Sequence, residues 1–240
     1  MMSRTLAVAA ICFLTGVRPA SAEDPMLDTF AGVSAQPYSV YSYAGGVAAM
    51  NGNLAADGFL ARLAFGVGGY SYQTLPGLRQ NVSQQQADAL IGYQLYINET
   101  RLSAYAGMEM QSHENADPAA VIRGASLGAK GQVEIYSPLG PKLFGFALGT
   151  LSSNYTSFFT MAKIGYRITD RLSFGPEGMA QGNSQYNQAS VGGSLGFTLG
   201  TTEFYLSSGY LWDLRSQGGG GPSGPGSSGL YGRAGLSKRF

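Results

Sequence analysis

The sequence predicts an all-β protein, an antiparallel transmembrane β-barrel of about 12 strands that follows a cleaved signal peptide. Apolar and polar residues alternate with a period of two over segments of roughly ten residues, as in strands whose two faces meet different surroundings. The charges within these segments fall almost entirely on one phase, and tight connections alternate with long ones. These three observations favour a barrel in a membrane over a soluble all-β fold.

The composition excludes several classes of protein. Charged residues make up 12% of the chain and the net charge is +1, which excludes a nucleic-acid binder that works by neutralising phosphates. A hydrophobic content of 44% argues against disorder. The only cysteine, Cys12, lies in the N-terminal segment, so the mature chain is expected to have no disulfide and no cysteine metal site.

The N-terminus has the organisation of a secretory signal peptide. One positive charge in Met1–Arg4 precedes an apolar run from Leu6 to Val17, and Ala20–Ala22 supplies small residues for cleavage. The run is much shorter than the roughly 20 residues of a spanning helix. We therefore expect a signal peptide at 1–22 and a single barrel domain at 23–240, located in a bacterial outer membrane.

Strand length supports the membrane setting. Strands are predicted near 28–36, 38–51, 58–72, 85–97, 101–111, 122–136, 142–152, 157–168, 171–181, 188–200, 202–213 and 230–240. Strands of about 9 to 14 residues are long enough to cross a bilayer at a tilt, whereas strands in soluble proteins average about five or six residues. The last alternating segment ends on the aromatic Phe240, which resembles the recognition signal of outer-membrane barrels.

The connections differ on the two sides of the predicted barrel. Tight turns, such as Thr169–Asp170 and Gly200–Thr201, are predicted on the periplasmic side. Long connections are predicted on the outer side at 73–84, 112–121 and 214–229, of which the last is rich in glycine. Short periplasmic turns opposite longer outer loops are typical of these barrels.

The apolar and polar residues that alternate along each strand are predicted to lie on opposite faces of the barrel wall. Leu63, Ile91, Leu127, Ile164 and Phe197 are predicted to face lipid. The polar phase is predicted to face the lumen, where ten charged residues form a balanced network: Arg62, Asp88, Glu109, Lys130, Glu134, Lys163, Arg167, Glu177, Glu203 and Arg233. Glycines on the inward phase are expected to relieve crowding there: Gly66, Gly68, Gly92, Gly107, Gly149, Gly165, Gly192 and Gly196.

Catalytic chemistry is nearly absent from the sequence. His113 is the only histidine, so a histidine-based metal site lacks its second ligand. Ser112 points to the opposite face of a strand, and we interpret His113 as a rim residue at the start of the 112–121 loop. Four glutamates on the polar phase suggest a carboxylate pair for sugar hydrolysis, but the basic residues beside them favour an ion network. We expect no catalytic residue, no cofactor and no metal.

One proline lies within a predicted strand. Pro176, in the run FGPEG at Phe174–Gly178, removes a backbone donor from the ladder, and such prolines usually mark a bulge. We interpret it as a local kink that aims Glu177 inward.

Several stretches together resemble the cellulose biosynthesis protein family BcsS. They are GGVAAMNGNLAADGFLARLAFGVGGYSY at Gly45–Tyr72, ADALIGYQLY at Ala87–Tyr96, RLSAYAG at Arg101–Gly107, the segment Ser157–Tyr166, and LSFGPEGMAQG at Leu172–Gly182. The stretches NG-x-L-x-x-DGFL-x-R and FGPEG are the most specific. The resemblance covers about 29–197 and the closing strand, and implies an exported barrel-like protein linked to bacterial cellulose production.

The expected function follows from the fold and the resemblance. We expect a non-enzymatic outer-membrane barrel that is accessory to cellulose (exopolysaccharide) biosynthesis, export or surface anchoring. Its expected partners are outer-membrane lipid and cellulose or other cellulose-secretion components, without nucleic acid. Two alternatives stay open: a small-solute porin or generic surface barrel, and a lipid-modifying barrel enzyme. A barrel of about 12 strands lies between filled small barrels and open porins.

Overall fold

The structure, a computed structural model, describes residues 25–73, 79–214 and 228–240. Twelve antiparallel strands form a closed barrel in these residues, because the first strand pairs with both the second and the last. The strands are β1 Leu27–Gln36, β2 Ser39–Ala49, β3 Gly58–Gln73, β4 Arg79–Ile97, β5 Thr100–Glu114, β6 Gly124–Pro138, β7 Leu143–Ser152, β8 Ser157–Arg167, β9 Leu172–Gly182, β10 Asn187–Leu199, β11 Thr202–Asp213 and β12 Gly229–Arg239. In the described part of the chain, no helix is long and apolar enough to cross a membrane.

The predicted fold class is confirmed for the barrel, and each predicted strand has a counterpart. The predicted signal peptide lies outside the described residues, as do positions 215–227 of the glycine-rich loop. We call the end of the barrel that carries Leu27 and Arg239 the lower end, and the opposite end the upper end. Because the strand number is even, both described chain ends lie at the lower end.

The prediction of a long connection at 73–84 is wrong for most of that range. Gln73 pairs with Arg79, and the ladder between β3 and β4 runs without a break from there to Gly58. Similarly, β5 continues to Glu114 instead of ending near 111. At these upper ends both strand faces carry polar residues, so the hydrophobic alternation disappears while the backbone pairing continues.

The outer face of the barrel is apolar. The five residues predicted to face lipid are all exposed on it, from Phe197 at 45% to Leu127 at 68%. Aromatic pairs lie outside near the lower end, at Phe59–Tyr93 and Tyr166–Phe174, and near the upper end at Tyr210–Trp212. An apolar band between aromatic residues at both ends is the exterior of a membrane barrel.

The proline in β9 interrupts a ladder without producing a bulge. Between β8 and β9, Lys163 pairs with Glu177 and Tyr166 pairs with Phe174, and the two intervening positions on each strand are unpaired. Equal numbers of residues on both sides leave the register unchanged, so the predicted bulge is absent. Glu177 points inward because it lies on the inward phase of β9, where it is 5% exposed.

The last residue extends the seam between β1 and β12 beyond the ladder that runs from Asp28–Arg239 to Ala35–Gly232. The backbone N–H of Phe240 donates to the Leu27 carbonyl at 2.8 Å, and its carbonyl oxygen accepts from Met26 N–H at 2.7 Å and from Leu27 N–H at 3.2 Å. Barrel closure needs every lower-end backbone group of this seam to be paired, because an open edge in a membrane is costly.

Removing Phe240 is therefore expected to slow barrel assembly and to lower the yield of folded protein. The folded fraction is measured by the shift in gel migration between heated and unheated samples during refolding into lipid vesicles. Phe240→Ala keeps the three backbone hydrogen bonds and serves as the control for the lost ring. A deletion variant that folds at the rate of the full chain would contradict this prediction.

Candidate functional site in the barrel lumen

The barrel encloses a cavity of about 2100 Å³, whose lining reaches from Phe240 at the lower end to Gln188 at the upper end. Nine of the ten charged residues assigned to the lumen line this cavity. The tenth, Arg167, lies beside it: its Nη2 donates to the Tyr136 hydroxyl at 2.5 Å, and its guanidinium carbon is 5.1 Å from the centre of the Phe144 ring.

Four of these residues form a compact cluster on the wall built by β3 to β6. We call Arg62, Asp88, Glu109 and Lys130 the four-charge cluster. Asp88 on β4 and Glu109 on β5 are direct cross-strand partners, so two carboxylates that repel each other stand side by side. Lys130 Nζ lies 2.7 Å from Asp88 Oδ2 and 2.7 Å from Glu109 Oε1, and Arg62 pairs with the other oxygen of Asp88.

The geometry of the strands explains how Lys130 reaches both carboxylates. Lys130 on β6 is paired with Gly107 on β5, and the missing side chain at Gly107 lets β4 approach closely, since a Cβ there would collide with the Ala89 carbonyl oxygen. All three charged groups are almost fully buried, with Asp88 at 6%, Glu109 at 2% and Lys130 at 8% exposure. Buried charges are stable only when they are paired and hydrogen-bonded, and this cluster meets both conditions.

Amide side chains complete the surroundings of Glu109. Gln86 Nε2 donates to Glu109 Oε1 at 2.6 Å, and Gln111 Nε2 donates to Glu109 Oε2 at 2.8 Å. The Tyr41 hydroxyl donates to Gln86 Oε1 at 3.1 Å, and Asn154 Nδ2 donates to the Glu109 carbonyl at 2.7 Å. These bonds fix both carboxylate oxygens of Glu109 as acceptors, which leaves it unsuited to act as a general acid.

A second ion pair lies on a different wall and is separate from the four-charge cluster. Arg233 Nη1 on β12 lies 3.3 Å from Glu177 Oε1 on β9, and the Tyr231 hydroxyl donates to the same oxygen at 3.3 Å. Within the described residues, Lys163, Arg167, Glu134 and Glu203 make no ion pair. Three of them form other contacts: Glu134 accepts from Gln132 Nε2 at 2.7 Å, Arg167 donates to Tyr136, and Lys163 Nζ lies 5.7 Å from the Phe144 ring centre.

The lower end of the lumen is narrowed by the turn between β2 and β3. Leu54 at the tip of this turn is 8% exposed and packs inside the barrel against Leu60, Leu90 and Tyr105. Its carbonyl accepts from Gln94 Nε2 at 2.9 Å and from the Tyr96 hydroxyl at 3.0 Å.

Residues of the NG-x-L-x-x-DGFL stretch build this turn. Asn51 Nδ2 donates to the Asp57 carbonyl at 2.9 Å, and Asp57 Oδ1 accepts from Tyr96 N–H at 2.7 Å. Gly52 adopts a φ of +78°, which favours glycine at this position. One of the two most specific stretches of the resemblance thus forms an inward-folded turn at the lower mouth of the lumen.

Connecting segments also meet at the upper end. The Tyr155 carbonyl, between β7 and β8, accepts from Ser184 N–H at 2.9 Å, and the Tyr155 hydroxyl donates to the Arg123 carbonyl at 3.4 Å. Tyr186 lines the cavity near this point, and burial raises the pKa of its hydroxyl to about 12. The ring is therefore neutral at physiological pH.

His113 is the penultimate residue of β5, so the predicted start of the loop at 112 is wrong, while its place near the upper end of the barrel agrees with the predicted rim position. Its side chain is 7% exposed and faces the lumen. Nδ1 lies 3.5 Å from the Tyr70 hydroxyl, Nε2 lies 3.3 Å from Gln111 Oε1, and the ring meets Tyr155 edge-on at 5.3 Å. Within the described residues, these partners supply neither a nucleophile–base pair nor a cluster able to hold a metal.

Sequence reasoning missed how aromatic rings and glycines pair inside the barrel. A Cβ at Gly66 would collide with the Tyr41 ring, and a Cβ at Gly165 would collide with the Phe144 ring. The same relation joins Gly32 to Tyr43, Gly235 to Tyr205 and Gly45 to Phe30. Each ring therefore lies over a bare backbone and stays close to the wall. Gly149 is an exception to the predicted inward set: the lining residues Leu148 and Thr150 flank it, so it points outward.

A closed antiparallel barrel with an apolar outer face and a charged lumen defines the class of transmembrane β-barrels. The model of the family described as cellulose biosynthesis protein BcsS matches residues 29–240. The chain therefore belongs to this family, which confirms the resemblance seen in the sequence. No curated protein matches the chain in sequence.

Three solved structures with similar folds are distant in sequence. A TodX ΔS2S3 mutant, a monoaromatic hydrocarbon channel, is 11% identical with a TM-score of 0.54 and covers 91% of each chain. The KdgM porin is 12% identical with a TM-score of 0.49, covering 89% of this chain and 99% of its own. LpxR from Salmonella typhimurium is 11% identical with a TM-score of 0.47, covering 89% and 100%. At this identity the similarity concerns the fold alone.

Proposed function

We infer that this protein is a non-enzymatic outer-membrane barrel that assists bacterial cellulose biosynthesis, export or surface anchoring. The family match over residues 29–240 carries this proposal, because it includes part or all of every strand and names the process. In this proposal residues 1–22 are a cleaved signal peptide, 23–240 form the single mature domain, and the lower end faces the periplasm.

Contacts between distant strands support an accessory role over free conduction. Gln181 on β9 donates to Gln36 Oε1 on β1 at 3.0 Å, and the hydroxyls of Tyr43 on β2 and Tyr205 on β11 are hydrogen-bonded. These ties, together with the Arg233–Glu177 pair and the Leu54 turn, narrow the lumen at several levels.

The paired carboxylates support a role without catalysis. A glycosidase needs one protonated and one ionised carboxyl group with room for substrate between them. Asp88 and Glu109 instead share Lys130, and Glu177 is held by Arg233 and Tyr231. The cavity of about 2100 Å³ favours a small-solute porin as the second candidate.

Two measurements separate these candidates. Purified protein in planar bilayers is expected to show low or no steady conductance, while a deletion strain is expected to secrete altered amounts of cellulose with unchanged uptake of small solutes. Leu54→Ser is expected to raise conductance by loosening the lower end, and the outward-facing Leu63→Ser serves as its matched control. A large ohmic conductance together with normal cellulose secretion in the deletion strain would establish the porin instead.

A further inference from the structure

The inner wall of the barrel changes character around its circumference. Strands β1 and β2 carry the lumen-lining rings Phe30, Tyr41 and Tyr43, and strands β7 and β8 carry Phe144, Phe146 and Phe159. In the closed strand order, β1 lies six positions from β7, and β2 lies six positions from β8. With twelve strands in the ring, these two aromatic walls stand on opposite sides of the cavity.

Rings on each of these two walls are accessible from the lumen, apart from Phe144, which is 7% exposed. Tyr43 and Phe146 keep intermediate exposure, as do Tyr70 on β3, Tyr136 on β6 and Tyr205 on β11 elsewhere on the cavity lining. Tyr105 on β5 and Tyr231 on β12 are only 7% and 3% exposed. Because glycines lie beneath Tyr43 and Phe144, these rings rest against the wall instead of projecting across the lumen.

The two intervening walls are mainly polar and carry both paired and unpaired charges, because Glu134 on β6 and Glu203 on β11 make no ion pair among the described residues. On β3 to β6, the four-charge cluster contains two cations and two anions, joined by short ion pairs. Amide groups of Gln86, Gln111 and Gln132 lie on the same wall, and Gln181 and Ser194 line the cavity on β9 and β10. Amides donate and accept hydrogen bonds, which suits hydroxyl groups better than ions.

We propose that the lumen is a binding slot for a segment of a flat, neutral glucan chain. Glucose units joined through equatorial bonds form a ribbon with C–H groups on its two faces and hydroxyl groups along its two edges. The opposed aromatic walls fit the faces of such a ribbon, and the polar walls fit its edges. At about 2100 Å³ the cavity is at least twice the usual size of a small-ligand pocket, as a chain ligand requires. The inference rests on the proposed function and specifies its ligand.

Direct titration of the purified mature barrel with cellohexaose tests the slot. Cellohexaose is expected to bind, and maltohexaose, whose α-linkages make the chain coil, is expected to bind at least about tenfold more weakly, a difference of about 1.4 kcal/mol. Tyr43→Ala and Phe146→Ala, one on each aromatic wall, are each expected to weaken cellohexaose binding roughly tenfold. Tyr43→Phe and Phe146→Tyr retain the rings and are expected to restore binding.

Tyr210→Ala on the outer face is the matched control and is expected to bind normally. Heat-modifiable gel migration establishes that each variant is folded before titration. Absence of cellohexaose binding by the folded barrel, or equal affinity for the two hexasaccharides, would overturn the slot. These results are independent of the deletion strain. Altered cellulose secretion without cellohexaose binding would support the proposed function and overturn the slot. Cellohexaose binding with unaltered cellulose secretion would support the slot as a glucan site and overturn the proposed function.

Discussion

Replacing Lys130 with methionine is expected to lower the free energy of unfolding of the barrel by about 3–5 kcal/mol. Lys130 is the one cation that touches both Asp88 and Glu109 among the described residues. Methionine fills a similar volume but leaves two facing carboxylates buried, with only Arg62 beside Asp88. The free energy is measured by denaturant unfolding of the barrel folded in lipid vesicles.

Lys163→Met provides the matched control for this experiment. Lys163 also lines the cavity, but it contacts the Phe144 and Phe146 rings at 5.7 and 5.8 Å instead of a carboxylate. Its removal is expected to cost only about 1 kcal/mol, the scale of a cation–π contact. Combining Lys130→Met with Glu109→Gln is expected to recover part of the lost stability, since neutralising Glu109 removes the repulsion. Equal losses for the two lysine variants would show that the four-charge cluster does not act as a unit.

The strand pattern was predictable because each strand separates lipid from lumen. Because one face of each strand meets lipid and the other meets the lumen, apolar and polar residues alternate with a period of two over the membrane-spanning part, as in 59–67 and 191–199. Above this band the contrast is lost, because both faces meet polar surroundings. The upper extension of β4, which begins at Arg79, therefore left no hydrophobic signal for the prediction to use.

The residues of the lumen were predictable as a set, but their partners were not. Phase alone places Asp88 and Glu109 on the inner wall, whereas their direct opposition depends on the register between β4 and β5. Register also sets Phe144 opposite Gly165 and Tyr43 opposite Gly32, which is how the rings come to lie over glycines. Leu54 lies in a turn without periodicity, so its burial in the lumen had no sequence signal apart from the NG-x-L stretch.

A further large effect is expected when arginine is placed on the lipid-facing side of β10. Leu195, near the middle of the strand, is 53% exposed on the outer face. Leu195→Arg is expected to lower the free energy of unfolding in vesicles by about 2–4 kcal/mol, because a charged group must then be accommodated in hydrocarbon.

The adjacent Ser194→Arg is the matched comparison for Leu195→Arg. Ser194 lines the lumen cavity and is paired with Gly175, so an arginine there has room and polar surroundings. Ser194→Arg is expected to lower the free energy of unfolding by at most about 1 kcal/mol. The two variants differ by one position in sequence and share charge, size and strand, so a difference between them reports only which face meets lipid. If both lose the same stability, the outer face of β10 is not in contact with hydrocarbon, and the membrane location of the barrel is wrong.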